Sequence, residues 1–150
     1  MARPLELNAD DIDCLFKINI HAPYHASVEA ARQMPEGGRI LIIGSVNGDR
    51  MPVAGMAAYA ASKSALQGMA RGLALIFGPR GSPSTSSSQG QSIPTLIPPT
   101  GQCAICCIVF MAIKRHGQPE EVAGMVAWLA GPEASFVTGA MHTIDGAFGA

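Results

Sequence analysis

The first third of the chain carries apolar residues on a helical period. In "LNADDIDCLFKINIHAPYHASVEAARQM", Ile12, Leu15 and Phe16 fall on one face, and Asn19 continues it. Asn8 is a suitable N-cap, and Asp10 and Asp11 suit the positive end of a helix. Pro23 lacks an N–H, so it is expected to kink this helix or split it in two. "PEGG" then reads as a turn. "RILIIG" is short, continuous and Ile-rich, the pattern of a strand buried on both faces in a parallel sheet. "SVNGDRMPVAG" is a loop, and a second helix is predicted from about Ala57 to Phe77, ended by "GPRG". A third helix starts at "QPEEVAGMVAWLAG". Pro119 takes its first position, Glu120 and Glu121 its first turn, and Val122, Met125, Val126 and Leu129 form its apolar stripe. "AMHTIDG" reads as a last strand with a turn. This order of elements predicts an α/β architecture. Ligands of such sheets bind beyond the carboxyl ends of the strands, and Ser45 stands there, directly after "RILIIG".

One segment breaks the pattern. Ser82 to Ile113 contains no charged residue. Its first half, "SPSTSSSQGQSIPTLIPPTGQ", has linker or disorder composition, and its second, "CAICCIVFMAI", is an uninterrupted apolar run. An irregular insert at 82–110 is therefore expected inside one domain spanning 1–150, a length that suits a single domain.

Charge narrows the partners. Charged residues make up 14% of the chain and the net charge is -1, so no basic patch points to a nucleic acid polymer. The longest apolar run is far short of the ~20 residues of a membrane span. "MARPLELNADD" has no apolar signal-peptide core, so a cytoplasmic protein without a membrane partner is expected. Cys103, Cys106 and Cys107 lack the second spaced pair that zinc requires, and Cys14 reads as a small apolar filler; no metal site is expected.

"AAYAASKSAL" holds the candidate chemistry. Tyr59 and Lys63 are four apart and share one helix face. An ammonium beside a phenol favours the phenolate, which suits proton transfer near neutral pH. Ser45 is placed to donate a hydrogen bond to an oxygen that develops charge. Asn19 is placed to tie Lys63 to the site through a water. Each has a blander reading: a Tyr–Lys pair also decorates ordinary helices, and a buried Asn is more often a satisfied core amide.

The combination is more specific. "INI" with Asn19, then "RILIIGS", "YAASK" and "TGAMHTIDG", in this order, resembles the classical short-chain dehydrogenases/reductases. The resemblance runs from Leu5 to about Gly81 and from Met111 to the end. It implies a doubly wound, Rossmann-like parallel sheet, of which only the C-terminal half is expected here. It implies four catalytic residues. Tyr59 acts as general acid or base, Lys63 binds the nicotinamide ribose and tunes Tyr59, Ser45 polarises a substrate carbonyl, and Asn19 is the fourth member. Tyr59 and Lys63 are also the cofactor contacts it implies, with NADP(H) or NAD(H) as cofactor. The reaction implied is carbonyl reduction or alcohol oxidation. Association of copies through the small residues of the Tyr59 helix is implied as well.

The departures are equally specific. The family's T-G-x-x-x-G-x-G turn, whose glycines let backbone approach a pyrophosphate, occurs nowhere in the 150 residues. The N-A-G strand is absent, and "SPSTSSSQGQ" replaces the strand and Pro-Gly motif that follow "GPRG" in the family. A truncated, inactive form of the enzyme is therefore expected. Ser82 to about Phe110 reads as translation in a shifted frame, with "LALIF" a smaller disturbance of the same kind. The alternative is a non-enzymatic protein that binds cyclic-di-GMP, as similarity to a member of the family with that property implies. Arg39, Arg50, Arg71, Arg80 and Arg115 are too scattered to explain such binding.

Overall fold

The computed structural model describes residues 8–80, 84–89 and 108–150. Helix α1 (Ala9–Phe16) begins at Asn8, whose side chain accepts a 3.2 Å hydrogen bond from the Asp10 N–H. The chain stays helical past Pro23, and the expected break is a change of winding. Lys17–His21 form a wide π turn, and α2 (Ala22–Gln33) follows with Pro23 in its first turn. The ring of a helical proline collides with the carbonyl four residues back, here that of Asn19, and a wide turn relieves this crowding.

Three parallel strands, β1 (Ile40–Ile43), β2 (Ser84–Gln89) and β3 (Met141–Ile144), form a sheet in the order β1-β2-β3. Ile40 stands opposite Ser84, and Ser86 opposite Met141. Parallel neighbours alternating with helices give the α/β class expected from the pattern. Two expectations need correction. Strand β1 is not buried on both faces: Ile42 is buried, but Ile43 is 43% exposed. Among the described residues β1 has a strand partner on one edge only. The irregular stretch expected from Ser82 does not hold for "STSSSQ", which forms the central strand. A strand between two others gains its ladder from backbone groups, so six polar residues without alternation still pair. The rest of 82–110, apart from 108–110, lies outside the described residues, including Cys103, Cys106 and Cys107.

Helix α3 (Ala57–Phe77) has the predicted bounds. Leu66, Ala70, Leu73 and Phe77, spaced at four, three and four, pack against Ala31 of α2 and Ile42 of β1 in one core cluster. Leu75 and Ile76 are 83% and 62% exposed, as their place on the outer surface of the helix implies. Val46, Met111 and Phe148 form a second cluster.

Helix α4 (Pro119–Ala130) starts in a capping box between Gln118 and Glu121. Leu129 is its buried residue, with Val122, Met125 and Val126 half-buried along the predicted stripe. The Arg115 guanidinium, gripping Glu121 at 2.7 and 2.8 Å, holds that carboxyl well below its usual range, at about 2; the Gln118 N–H adds to the effect. Arg39, just before β1, donates to the Leu129 and Ala134 carbonyls at 3.1 and 2.7 Å and so fastens the end of α4 to the sheet. After β3 the chain turns through Gly146 and Ala147, both at positive φ (60° and 65°). The Asp145 carboxylate accepts from the Ala147 and Gly149 N–H groups at 2.8 Å, which holds Ala147 in that unfavourable region. Among the described residues no helix is long and apolar enough to cross a membrane.

Candidate active site

Ser45 lies two residues past the carboxyl end of β1. Its hydroxyl accepts a 3.2 Å hydrogen bond from the Asn47 N–H and so caps the short 3-10 turn Val46–Gly48. That turn is pressed onto α3. A Cβ on Gly48 would stand 2.9 Å from the Ser64 nitrogen and 3.0 Å from the Lys63 carbonyl carbon, so glycine permits this approach. The Ser64 hydroxyl donates to the Gly48 carbonyl, and Gln67 Nε2 donates to Asp49 Oδ1 at 2.5 Å. The loop that carries Ser45 is thereby locked to the helix that carries Tyr59 and Lys63.

Tyr59 and Lys63 are half-buried on α3, one turn apart as the spacing predicts. Lys63 Nζ is 5.9 Å from the centroid of the Tyr59 ring. No direct hydrogen bond joins Ser45 to Tyr59 among the described residues.

Asn19 reaches α3 through a buried hydroxyl. Its Nδ2 donates to Ser62 Oγ at 3.0 Å, and that hydroxyl donates to the Tyr59 carbonyl at 2.7 Å. Ser62 is fully buried. The direct partner of Asn19 is therefore the residue beside Lys63. Both Asn19 and Lys63 line one groove of about 470 Å³ between α1–α2, β1 and α3. Ser45 and Tyr59 do not line that groove.

Ser62 is the participant that sequence reasoning misses. A serine inside a helix normally returns its hydroxyl to a carbonyl three or four residues back and carries no further signal. Here the same oxygen also accepts from a second element. The wide turn Lys17–His21 matters equally, because Asn19 sits at its middle and reaches α3 from it.

Chemically the arrangement offers a phenol with a neighbouring ammonium, a hydroxyl at the strand end and an amide that braces α3. Residues 1–81 match a family model described as short chain dehydrogenase. The chain belongs to the short-chain dehydrogenase family. Residues 102–148 match a second model, described as enoyl-(acyl carrier protein) reductase, so similarity resumes nine residues before Met111. Residues 82–101, the first part of the charge-free segment, fall in neither match.

The chain is 80% identical over 146 residues to the cyclic-di-GMP-binding biofilm dispersal mediator protein of Escherichia coli (strain K12), covering 97% of this chain and 62% of that protein. The crystal structure of BdcA in complex with NADPH superposes with a TM-score of 0.94 at 78% identity, over 99% of this chain and 61% of that one. A short-chain dehydrogenase/reductase from Serratia marcescens superposes with a TM-score of 0.96 at 44% identity, over 100% and 61%. The chain thus spans about three fifths of the length of the relatives it matches.

Proposed function

We propose that Tyr59, Lys63, Ser45 and Asn19 are the proton-transfer half of a nicotinamide-dependent oxidoreductase acting on a carbonyl or an alcohol. The observation that carries this reading is the Tyr59–Lys63 pair on α3, with the Ser45 loop bound to the same helix through Gly48 and Ser64. In this reading the Tyr59 hydroxyl gives a proton to the substrate oxygen, or takes one from it. The Ser45 hydroxyl donates to that same oxygen as it gains charge. The Lys63 ammonium stabilises the phenolate left behind. Asn19 keeps α3 in place through Ser62.

NADP(H) is the cofactor this reading takes, since BdcA is solved with NADPH. It would supply or accept the hydride. The residues present fit only its ribose end. Lys63 lines the groove with ammonium donors for ribose hydroxyls, whereas no Gly-rich turn in the 150 residues offers backbone N–H groups to the pyrophosphate. No hydride step is therefore assigned to these 150 residues on their own. Incubating the purified chain with NADPH and a panel of ketones tests this. The expected result is no NADPH consumption above the protein-free blank. Turnover abolished by Tyr59→Phe would instead place a working cofactor site within the chain.

A second reading is favoured by one observation, the name of the 80% identical relative. In it the chain binds cyclic-di-GMP without catalysis and acts in biofilm dispersal. Calorimetric titration with cyclic-di-GMP separates the readings: saturable heat supports the second, and its absence speaks against it.

A further inference from the structure

Asn47 and Gly48 give the turn after Ser45 a chemistry of its own. The chain has three asparagines, Asn8, Asn19 and Asn47, followed in turn by Ala9, Ile20 and Gly48. A main-chain nitrogen can attack the side-chain amide of the residue before it, and glycine alone brings no side chain into the path of that attack. In the attack the Gly48 nitrogen gives its proton to hydroxide and bonds to Asn47 Cγ. The Cγ–Nδ2 bond breaks, and Nδ2 takes a proton from water and leaves as ammonia. This closes a succinimide ring. Water then opens one or the other ring carbonyl and leaves aspartate or isoaspartate at position 47, so the net reaction consumes water and releases ammonia. Asn47 is half-buried, and among the described residues its side-chain amide has no hydrogen-bond partner. The other two asparagines are engaged: Asn8 Oδ1 accepts from the Asp10 N–H, and Asn19 Nδ2 donates to Ser62 Oγ.

The fold restrains this reaction. In the turn Val46–Gly48 the Gly48 N–H donates to the Ser45 carbonyl at 3.0 Å, so the attacking nitrogen is engaged. The Asp49 and Arg50 N–H groups donate to the Val46 carbonyl at 3.0 and 2.9 Å. From α3, the Ser64 hydroxyl on the Gly48 carbonyl and the Gln67 amide on Asp49 hold the turn shut. Opening the turn frees the nitrogen. The product does not fit back. Isoaspartate routes the main chain through the former side chain and lengthens it by a methylene, whereas Gly48 already stands where even a Cβ would lie 2.9 Å from the Ser64 nitrogen. We propose that Asn47 is a spontaneous deamidation site, with water as co-reactant, gated by opening of the Ser45 turn and ending in detachment of that turn from α3. Conversion needs no substrate, so this proposal does not rest on the catalytic reading and the two fail separately.

The test ages the purified 150-residue chain in mildly alkaline buffer and maps its peptides by mass spectrometry, with aspartate and isoaspartate products separated by chromatography. The proposal expects conversion at Asn47 ahead of Asn8 and Asn19, with isoaspartate among the products. Ser64→Ala and Gln67→Ala each remove one hydrogen bond that closes the turn. Each is expected to speed conversion about two- to tenfold, the change in open population that one hydrogen bond is worth. Circular dichroism verifies that the variants fold, and should one not fold, the other carries the comparison. Amide hydrogen exchange of the aged chain is expected to quicken at Gly48, Asp49 and Arg50. The proposal is overturned if Asn47 converts no faster than Asn8 and Asn19, or if the folded variants convert at the rate of the parent chain. Native exchange protection at Gly48, Asp49 and Arg50 in the isoaspartate form overturns it as well.

Discussion

At the scale of single residues, the bond from Asn19 to Ser62 joins two elements that are 43 positions apart in sequence. Asn19→Ala removes it but leaves the Ser62 hydroxyl on the Tyr59 carbonyl, so a loss of about 0.5–1.5 kcal/mol in urea unfolding is expected. Ser62→Ala removes both bonds and is expected to cost more than Asn19→Ala in the same assay. Gly48→Ala drives a methyl into the backbone of α3 at Ser64 and is expected to cost about 1–3 kcal/mol, read in the same unfolding curves. Tyr59 and Lys63 were legible in the sequence because helical spacing alone puts positions four apart on one face. Ser45 was legible because it follows an apolar run. The side-chain partner of Asn19 was not, because nothing local in "KINIH" announces a wide turn, and a buried serine in "YAASK" looks like any small helix residue.

At the scale of elements, the three long helices were legible from period and caps, since each buries one stripe and exposes the rest. Strand β2 was not. "STSSSQ" has neither alternation nor apolar content, and its place in the sheet comes from the backbone of its neighbours. The start of α4 makes an electrostatic prediction. Glu121 has a carboxyl pKa of about 2, against an ordinary 4.5. A lowered carboxyl favours the folded state above its unfolded value, so this contribution is complete above pH 4.5 and is lost as pH falls towards 2. Glu121→Gln is expected to flatten the melting temperature across that window. The pair is exposed, so added salt is expected to shrink the difference between the two proteins. Arg39→Ala leaves the Leu129 and Ala134 carbonyls without their donor at the junction of α4 and β1. A cost of about 1–3 kcal/mol is expected in chemical unfolding.

At the scale of the whole molecule, three parallel strands and their helices carry Tyr59, Lys63, Ser45 and Asn19, the proposed proton-transfer residues, and the pyrophosphate-binding turn is absent from the 150 residues. The unmatched segment 82–101 divides the two regions of family similarity. We propose that a shifted reading frame accounts for that division and for the abrupt loss of charge. The coding DNA of residues 82–110, read in its other two frames, is then expected to encode a family-like strand, and its absence from both would refute the shift. On the proposed reading the 150 residues fold and hold Tyr59 and Lys63 in place without holding the cofactor, and thermal unfolding followed by circular dichroism, with and without excess NADPH, checks this. A ligand that binds the folded state raises the midpoint. One cooperative transition is expected, with the same midpoint in both samples. A midpoint that rises with NADPH, or a chain with no cooperative transition, would contradict it.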